Sequence, residues 1–174
     1  MTALVTGGSG SGKSAWAEDL VCRLSPGRKL YLATMLPEGR ESQSRIARHR
    51  RLRAGKGFET VECPWSLEDV PVQAEDAVLL ECLPNLLANV MFAPGAGGEA
   101  ADRIWEELEG LAQRCGHMVV VSNEVFSDGV DYAAETAAYL DALGTLNRRL
   151  AARAELAVEV VCGIALLLKG ELPG

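Results

Sequence analysis

The sequence lacks any apolar run long enough to cross a membrane. Its longest aliphatic stretch near the C-terminus is IALLL, residues 164–168, whereas a membrane-spanning helix needs about 20 such residues. The first residues also lack a basic region followed by an apolar core, which is the pattern of a secretory signal. We therefore expect a cytoplasmic protein without a membrane span.

The sequence also lacks cysteines at metal-binding or disulfide spacing, and it has no net positive charge. The five cysteines form no C-x-x-C pair, so we expect reduced thiols rather than a zinc site or a disulfide framework. A net charge of −7 argues against nucleic acid as a partner. The stretch RIARHRRLR, residues 45–53, departs from that average, since it holds five arginines and one of the two histidines.

Short apolar runs alternate with longer helical patterns, which favours an α/β protein with a mainly parallel sheet. No repeat or linker divides the chain, so we expect one domain over residues 1–174. The predicted strands are Ala3–Thr6, Lys29–Ala33, Ala77–Cys82, Met118–Ser122, Ala157–Val161 and Ile164–Lys169. The Cys-Gly pair at 162–163 predicts a tight turn that makes the last strand antiparallel.

Amphipathic helices are predicted between these strands. After the glycine-rich segment at 7–14, apolar residues recur at helical spacing from Ala17 to Leu24. Further helices are predicted over 99–114 and 133–153, and their inward-facing residues are Ile104, Leu108, Leu111, Leu140, Leu143, Leu146 and Leu150.

The segment GGSGSGKS, residues 7–14, fits the phosphate-binding pattern G-x-x-x-x-G-K-[ST]. It lies between a predicted strand and a predicted helix. Glycines let backbone N–H groups approach phosphate oxygens closely, and the helix N-terminus adds its dipole. Lys13 is expected to neutralise the β- and γ-phosphates and Ser14 to ligate Mg²⁺. The pattern establishes nucleotide binding but leaves the reaction open.

An acidic residue at the end of a neighbouring strand usually completes such a site. The run AVLLEC places Glu81 at a strand end, where it could hold Mg²⁺ directly or through water. A hydrogen bond to nucleotide or substrate is an alternative role, and an ordinary solvated strand end is another.

The basic stretch contains a possible nucleophile. On a helix, Arg45, His49 and Arg53 share one face. Positive neighbours favour a lowered histidine pKa, and a neutral imidazole can attack a phosphorus atom. The alternative is a solvated charged face with an incidental histidine. The other histidine, His117, precedes the apolar run MVVVS and is interpreted as a strand-entry residue.

Seven segments, taken in order over nearly the whole chain, resemble the bifunctional adenosylcobinamide kinase / adenosylcobinamide-phosphate guanylyltransferases of cobalamin biosynthesis. They are VTGGSGSGKS (5–14), YLAT (31–34), RIARH (45–49), TVE (60–62), LLEC (79–82), SNEV (122–125) and LGTLNRRLA (143–151). The resemblance implies a P-loop NTPase with a RecA-like three-layer fold, a mainly parallel sheet and an antiparallel C-terminal strand. It also implies a homotrimer with active sites near subunit contacts.

The resemblance implies two reactions. ATP or GTP phosphorylates the aminopropanol hydroxyl of adenosylcobinamide. GTP then guanylylates a histidine with release of pyrophosphate, and the GMP passes to adenosylcobinamide phosphate, giving adenosyl-GDP-cobinamide. The implied substrates are therefore small molecules, with Mg²⁺ as cofactor.

The family pattern also assigns site residues. His49 matches the family histidine and is expected to be catalytic together with Lys13, while Ser14 and Glu81 are the expected metal ligands. The expected nucleotide-binding residues are Gly7, Gly8, Ser9, Gly10, Ser11, Gly12, Lys13, Ser14, Ala33, Thr34, Met35, Arg50, Arg53, Glu62 and Glu81.

Five positions depart from the family pattern. Gly10 and Leu140 stand where arginines are usual, Phe126 replaces a glycine, Asp131 a proline and Phe58 a tryptophan. Nearby positions that keep the family residue are Asn123, Glu124 and Asn147. Two alternatives therefore stay open: an enzyme with only the guanylyltransferase step, and a RecA-like nucleotide-dependent regulatory module without a corrinoid acceptor.

Overall fold

The computed structural model describes residues 1–37, 39–95, 98–126, 130 and 132–173, and for residues 40, 41, 45 and 52 it describes the backbone alone. Asp131 and the side chain of Arg45, both named above, therefore lie outside the described residues. The strands are β1 (Thr2–Thr6), β2 (Lys29–Ala33), β3 (Phe58–Glu62), β4 (Ala77–Glu81), β5 (His117–Val121), β6 (Leu156–Val161) and β7 (Ile164–Lys169). The helices are α1 (Lys13–Leu24), α2 (Gly39–Leu52), α3 (Leu83–Met91), α4 (Ala100–Arg114) and α5 (Ala134–Arg153).

In the described part of the chain these strands form one sheet in the order β3-β2-β4-β5-β1-β6-β7. The first six run parallel, and β7 pairs with β6 in the antiparallel sense. Cys162 and Gly163 link β6 to β7 with φ angles of 51° and 80°, and positive φ at both central residues is typical of a tight hairpin turn. The mainly parallel sheet and the antiparallel last strand are therefore confirmed.

Helices cover both faces of the sheet, because side chains of successive strand residues point to opposite sides. Ala3 and Val5 pack with α1 on one face, whereas Leu4 packs with α3, α4 and α5 on the other. The predicted inward residues of the helices are buried, except that Leu24 and Leu140 are only half-buried. The result is a three-layer arrangement.

Besides α2, whose helical form was only assumed for the basic stretch, β3 and α3 were not predicted from periodicity. β3 is an edge strand whose side chains are exposed or half-buried, so its sequence carries little apolar signal. α3 is a nine-residue apolar run, and a run this short does not separate a buried helix from a strand by periodicity.

The parallel arrangement brings the carboxyl ends of six strands to one side of the sheet. These ends are Thr6, Ala33, Glu62, Glu81, Val121 and Val161. Segments far apart in sequence therefore meet at this side, where open α/β sheets bind their ligands.

Candidate active site

The glycine loop lies between β1 and α1, as its pattern predicts. Gly7 has φ of 150°, and a Cβ placed there would collide with the carbonyl oxygen of Val160. Gly12 adopts a left-handed conformation with φ of 94° at the residue before α1. Neither position tolerates a side chain without strain, so the loop depends on glycine at both ends.

The turn between β6 and β7 supports this loop. The Gly163 N–H donates to the carbonyl oxygen of Ser11 at 2.8 Å, and the Cα of Gly163 lies 3.3 Å from where a Cβ of Gly12 would stand. Inside the loop, Lys13 is buried and its ammonium donates to the carbonyl oxygen of Gly8 at 3.0 Å. The last hairpin thus helps to shape a phosphate loop that lies at the other end of the sequence.

Ser14 and Glu81 meet across the sheet edge. The Ser14 hydroxyl donates to Oε1 of Glu81 at 2.8 Å. A hydroxyl and a carboxylate are hard oxygen donors of the kind Mg²⁺ prefers. Among the described residues, no group of three or more His, Cys, Asp or Glu side chains is arranged to hold a metal ion.

Thr34 lies beneath the cleft rather than along its wall. The residue is fully buried, and its hydroxyl donates to the carbonyl oxygen of Cys82 at 2.8 Å and accepts the Cys82 N–H at 2.8 Å. Its own carbonyl accepts a bond from Nδ2 of Asn89. Thr34 therefore joins the ends of β2 and β4, while its neighbours Ala33 and Met35 line the cleft.

Arg53 follows the last residue of α2 and is held rigidly. Its guanidinium carbon lies 3.8 Å from the ring centroid of Tyr31, and Nη2 donates to the hydroxyl of Thr60 at 2.9 Å. Tyr31 is buried, and that burial, reinforced by the charge of Glu81, raises the pKa of its phenol while Arg53 opposes the rise. By contrast, Arg50 reaches Glu62 only at 3.5 Å, with both side chains largely exposed.

One cleft of about 360 Å³ brings most of the predicted residues together. The predicted residues that line it are Ser9, Gly10, Ser11, Gly12, Lys13, Ser14, Ala33, Met35, His49, Arg50, Arg53, Glu62 and Glu81. The glycine loop forms one wall and α2, with His49, contributes to another. Gly7 and Gly8 form the start of the loop after β1 and do not line the cleft themselves.

The cleft also contains residues that the sequence patterns did not assign to it, including Tyr31, Arg48, Asn85, Asn123 and Tyr139. Tyr139 donates its hydroxyl to the carbonyl oxygen of Pro84 at 3.2 Å, and burial raises the pKa of this phenol to about 12. It is thus a neutral hydrogen-bonding group at pH 7. Asn123 was visible in the resemblance as a retained residue, whereas no sequence signal marked Tyr139 or Asn85.

The cleft combines a phosphate loop with arginines and a histidine at the carboxyl edge of a parallel sheet, and this combination defines a P-loop nucleotide-binding protein with a RecA-like three-layer fold. Solved structures share the fold. The flagellar accessory protein FlaH from Methanocaldococcus jannaschii superposes with a TM-score of 0.52 at 11% identity, covering 99% of this chain and 80% of that one. A solved ATPase domain gives a TM-score of 0.54 at 10% identity, covering 91% of this chain and 68% of that one.

Sequence comparison narrows this class. The chain belongs to the cobinamide kinase / cobinamide phosphate guanyltransferase family, whose sequence model matches residues 3–168, and it is therefore a nucleotide-dependent transferase. It is 35% identical to the bifunctional adenosylcobalamin biosynthesis protein CobU of Salmonella typhimurium (strain LT2), over 97% of this chain and all of that protein. It is 32% identical to the bifunctional adenosylcobalamin biosynthesis protein CobP of Pseudomonas aeruginosa, over 98% of this chain and 99% of that protein. The family resemblance drawn from the seven segments is thereby confirmed.

Proposed function

We propose that the protein phosphorylates adenosylcobinamide with ATP or GTP and then transfers GMP from GTP to adenosylcobinamide phosphate through a guanylylated His49. The observation that carries this proposal is the shared cleft: the phosphate loop and His49 line the same cavity. A nucleotide held by its phosphates in the loop would therefore be within the cavity that the imidazole faces.

In the phosphorylation step, the acceptor hydroxyl oxygen attacks the γ-phosphorus of the nucleotide. The bond from that phosphorus to the β–γ bridging oxygen breaks, the nucleoside diphosphate leaves, and the hydroxyl proton is released. Lys13 and the N–H groups of the loop stabilise negative charge on the phosphate oxygens as this happens.

In the guanylylation step, an imidazole nitrogen of His49 attacks the α-phosphorus of GTP. A P–N bond forms, the bond to the α–β bridging oxygen breaks, and pyrophosphate leaves with its charge stabilised by Lys13. A phosphate oxygen of the acceptor then attacks the same phosphorus and breaks the P–N bond, which returns the imidazole to its starting form. Arg53, which is stacked on Tyr31 and lines the same cleft, would stabilise charge on the α-phosphate.

Mg²⁺ bound with the nucleotide supplies positive charge at the phosphate oxygens. Ser14 and Glu81 are the residues that would hold it, since their oxygens are already 2.8 Å apart beside the loop. This hydrogen bond holds the Ser14 hydroxyl oxygen and the Glu81 carboxylate oxygen side by side at the carboxyl ends of the strands.

The histidine is tested with GTP labelled at the α-phosphate. Wild-type protein with Mg²⁺ should acquire an acid-labile covalent label, and His49→Ala should lose the label while still phosphorylating adenosylcobinamide from γ-labelled ATP. Lys13→Ala should lose both activities. The matched control is His117→Ala. His117 starts β5 and so lies at the amino ends of the parallel strands, away from the cleft at their carboxyl ends, and its removal should leave the label unchanged.

The outcomes separate the alternatives. A label that persists in His49→Ala would refute the histidine's role. A wild-type protein that takes up the label but leaves adenosylcobinamide unphosphorylated would restrict the function to guanylyl transfer. A protein that binds GTP and carries out neither step would support the regulatory module instead.

We also propose that the protein acts in the cytoplasm as a homotrimer. In support, β7 is an edge strand with exposed apolar side chains, among them Ile164 at 66% and Leu167 at 49% accessibility. Exposed apolar surface of this kind marks interfaces. The described residues include no helix long and apolar enough to span a membrane. Light scattering coupled to size exclusion tests the trimer directly.

A further inference from the structure

A second cavity, of about 870 Å³, lies beside the nucleotide cleft and takes no part in the steps above. Leu4 and Thr6 of β1 contribute to its lining, and described residues between β5 and α5 together with one side of α5 provide much of the rest. Asn123 lines both cavities, so they adjoin at this residue.

The second cavity is mainly apolar. We call it the apolar basin and define it by Phe126, Tyr132, Leu140, Gly144 and Leu168, with Asn123 on its inner edge. Phe126 and Tyr132 are more than 40% exposed, although large aromatic side chains are normally buried. Leu140 has the spacing of a core residue but faces the basin. Apolar surface gathered in this way marks a binding site.

The inner edge of the basin is tied to the phosphate loop. Asn147 of α5 accepts a bond from the Ser122 hydroxyl at 2.6 Å and donates to the Asn123 carbonyl oxygen at 3.4 Å. The next residue, Glu124, donates its N–H to the carbonyl oxygen of Gly7 at 3.1 Å. A ligand in the basin would therefore lie at a defined position relative to the phosphates.

The chemistry of the two cavities differs. The cleft offers cations and hydrogen-bond donors, which suit a nucleotide, whereas the basin offers two aromatic rings and aliphatic side chains. A group that fits the basin has broad apolar faces and is larger than a nucleoside. Polar groups at its edge would meet Asn123 and Arg148, which also lines the cavity.

We propose that the apolar basin binds the corrin ring of the acceptor, so that the arm carrying the hydroxyl or phosphate passes Asn123 into the nucleotide cleft. This inference rests on the proposed function. Two departures from the family pattern, Phe126 and Leu140, both fall in the basin, and each puts a larger or more apolar side chain there. They adapt the basin to apolar contact with the ring and leave the cleft unaltered.

The test uses Gly144→Leu, which fills the basin. A Cβ at Gly144 would meet Phe126 and Arg148 only at 3.5 Å or more, so the backbone accommodates the change and the longer side chain occupies the cavity. Gly110→Leu is the matched control, because Gly110 lies on α4 with nothing within 4 Å of its Cβ position. Phe126→Ala is the second variant, since it removes contact surface without adding bulk.

Binding of purified adenosylcobinamide is measured by equilibrium dialysis without nucleotide, followed through the visible absorbance of the corrin ring. Gly144→Leu should weaken binding about tenfold or more and Phe126→Ala several-fold. Gly110→Leu should bind like wild type. In all three variants the α-labelled GTP reaction, which needs no acceptor, should proceed at the wild-type rate.

Unchanged corrinoid affinity in Gly144→Leu and Phe126→Ala would overturn the basin proposal while the wild-type activities keep the proposed function intact. A Gly144→Leu protein with an altered oligomeric state and unchanged corrinoid affinity would also overturn the basin proposal, because the basin would then be an interface between copies of the chain. A wild-type protein that binds no corrinoid and takes up no label would refute the proposed function itself.

Discussion

At the scale of single residues, Arg53 and Arg50 show how similar sequence positions acquire different physical roles. Both belong to the basic stretch and both line the cleft. Arg53 is buried, stacks on Tyr31 and bonds to Thr60, whereas Arg50 makes one long, exposed ion pair. A planar guanidinium that is stacked and bonded at once cannot be replaced by an ammonium group.

Arg53→Lys should therefore lower the free energy of unfolding by about 1–2 kcal/mol, because the stacking on Tyr31 and the Thr60 bond are both lost. Urea denaturation measures this change. Arg50→Lys is the matched control and should cost about 0–0.5 kcal/mol, as expected for an exposed pair. Equal effects of the two substitutions would contradict the role assigned to the stack.

At the scale of secondary-structure elements, a buried ion pair connects α1, which starts at the phosphate loop, to the turn that follows α2. Glu18 is fully buried, and Lys56 donates to its Oε2 at 2.9 Å and to Asp19 Oδ1 at 2.8 Å. These carboxylates raise the pKa of Lys56 against an opposing effect of burial. The pair thus anchors the segment after the His49 helix on the helix that carries Lys13 and Ser14.

Lys56→Met should destabilise the protein by about 3 kcal/mol, because the Glu18 carboxylate stays buried without its cation. The double substitution Glu18→Leu with Lys56→Met should recover most of that loss, since no charge is then buried. Asp19→Asn is the control, and it should have little effect because Asp19 is largely exposed. Chemical denaturation of the four proteins measures the effects. A double variant no more stable than Lys56→Met would rule out the buried charge as the cause.

At the scale of the whole molecule, the N-terminal strand occupies an interior position in the sheet. β1 lies between β5 and β6, and its start is fixed by the Thr2 N–H, which donates to Oε2 of Glu155 at 2.6 Å. This bond is the main reason why the pKa of Glu155 is lowered from its ordinary value of 4.5. The stability of the sheet is therefore linked to the charge of one carboxylate at the start of β6.

The sign of the pH effect follows from the lowered pKa. The unfolded chain takes up this proton at a higher pH than the folded chain, so the contribution of Glu155 is present above pH 4.5 and is lost as the pH falls through the folded pKa. Glu155→Gln should flatten the fall in stability below about pH 4.5, measured as urea midpoints between about pH 7 and pH 3.5. An unchanged slope in that variant would exclude Glu155 as a source of the pH dependence.

The features that depend on local order could be predicted from the amino-acid sequence alone. The phosphate loop needs glycines, a lysine and a serine at fixed spacing after a strand, and the hairpin needs a turn that tolerates positive φ. Both are properties of neighbouring residues, so the pattern alone predicted them. Most of the parallel strands were likewise visible, because buried strands are continuous apolar runs.

Which residues far apart in sequence come into contact depends on how the strands pair and the helices pack. Parallel pairing brings the ends of β1, β2, β3, β4 and β5 to one edge, and this placed Tyr31 under Arg53 and Tyr139 in the cleft without any local signal. The same cause explains Thr34, which the family resemblance assigned to the nucleotide site and which the structure buries beneath the cleft. Leu140 shows a different limit. Its spacing predicts a core residue, but helical periodicity tells only which side of α5 faces inward and not whether another element covers that side.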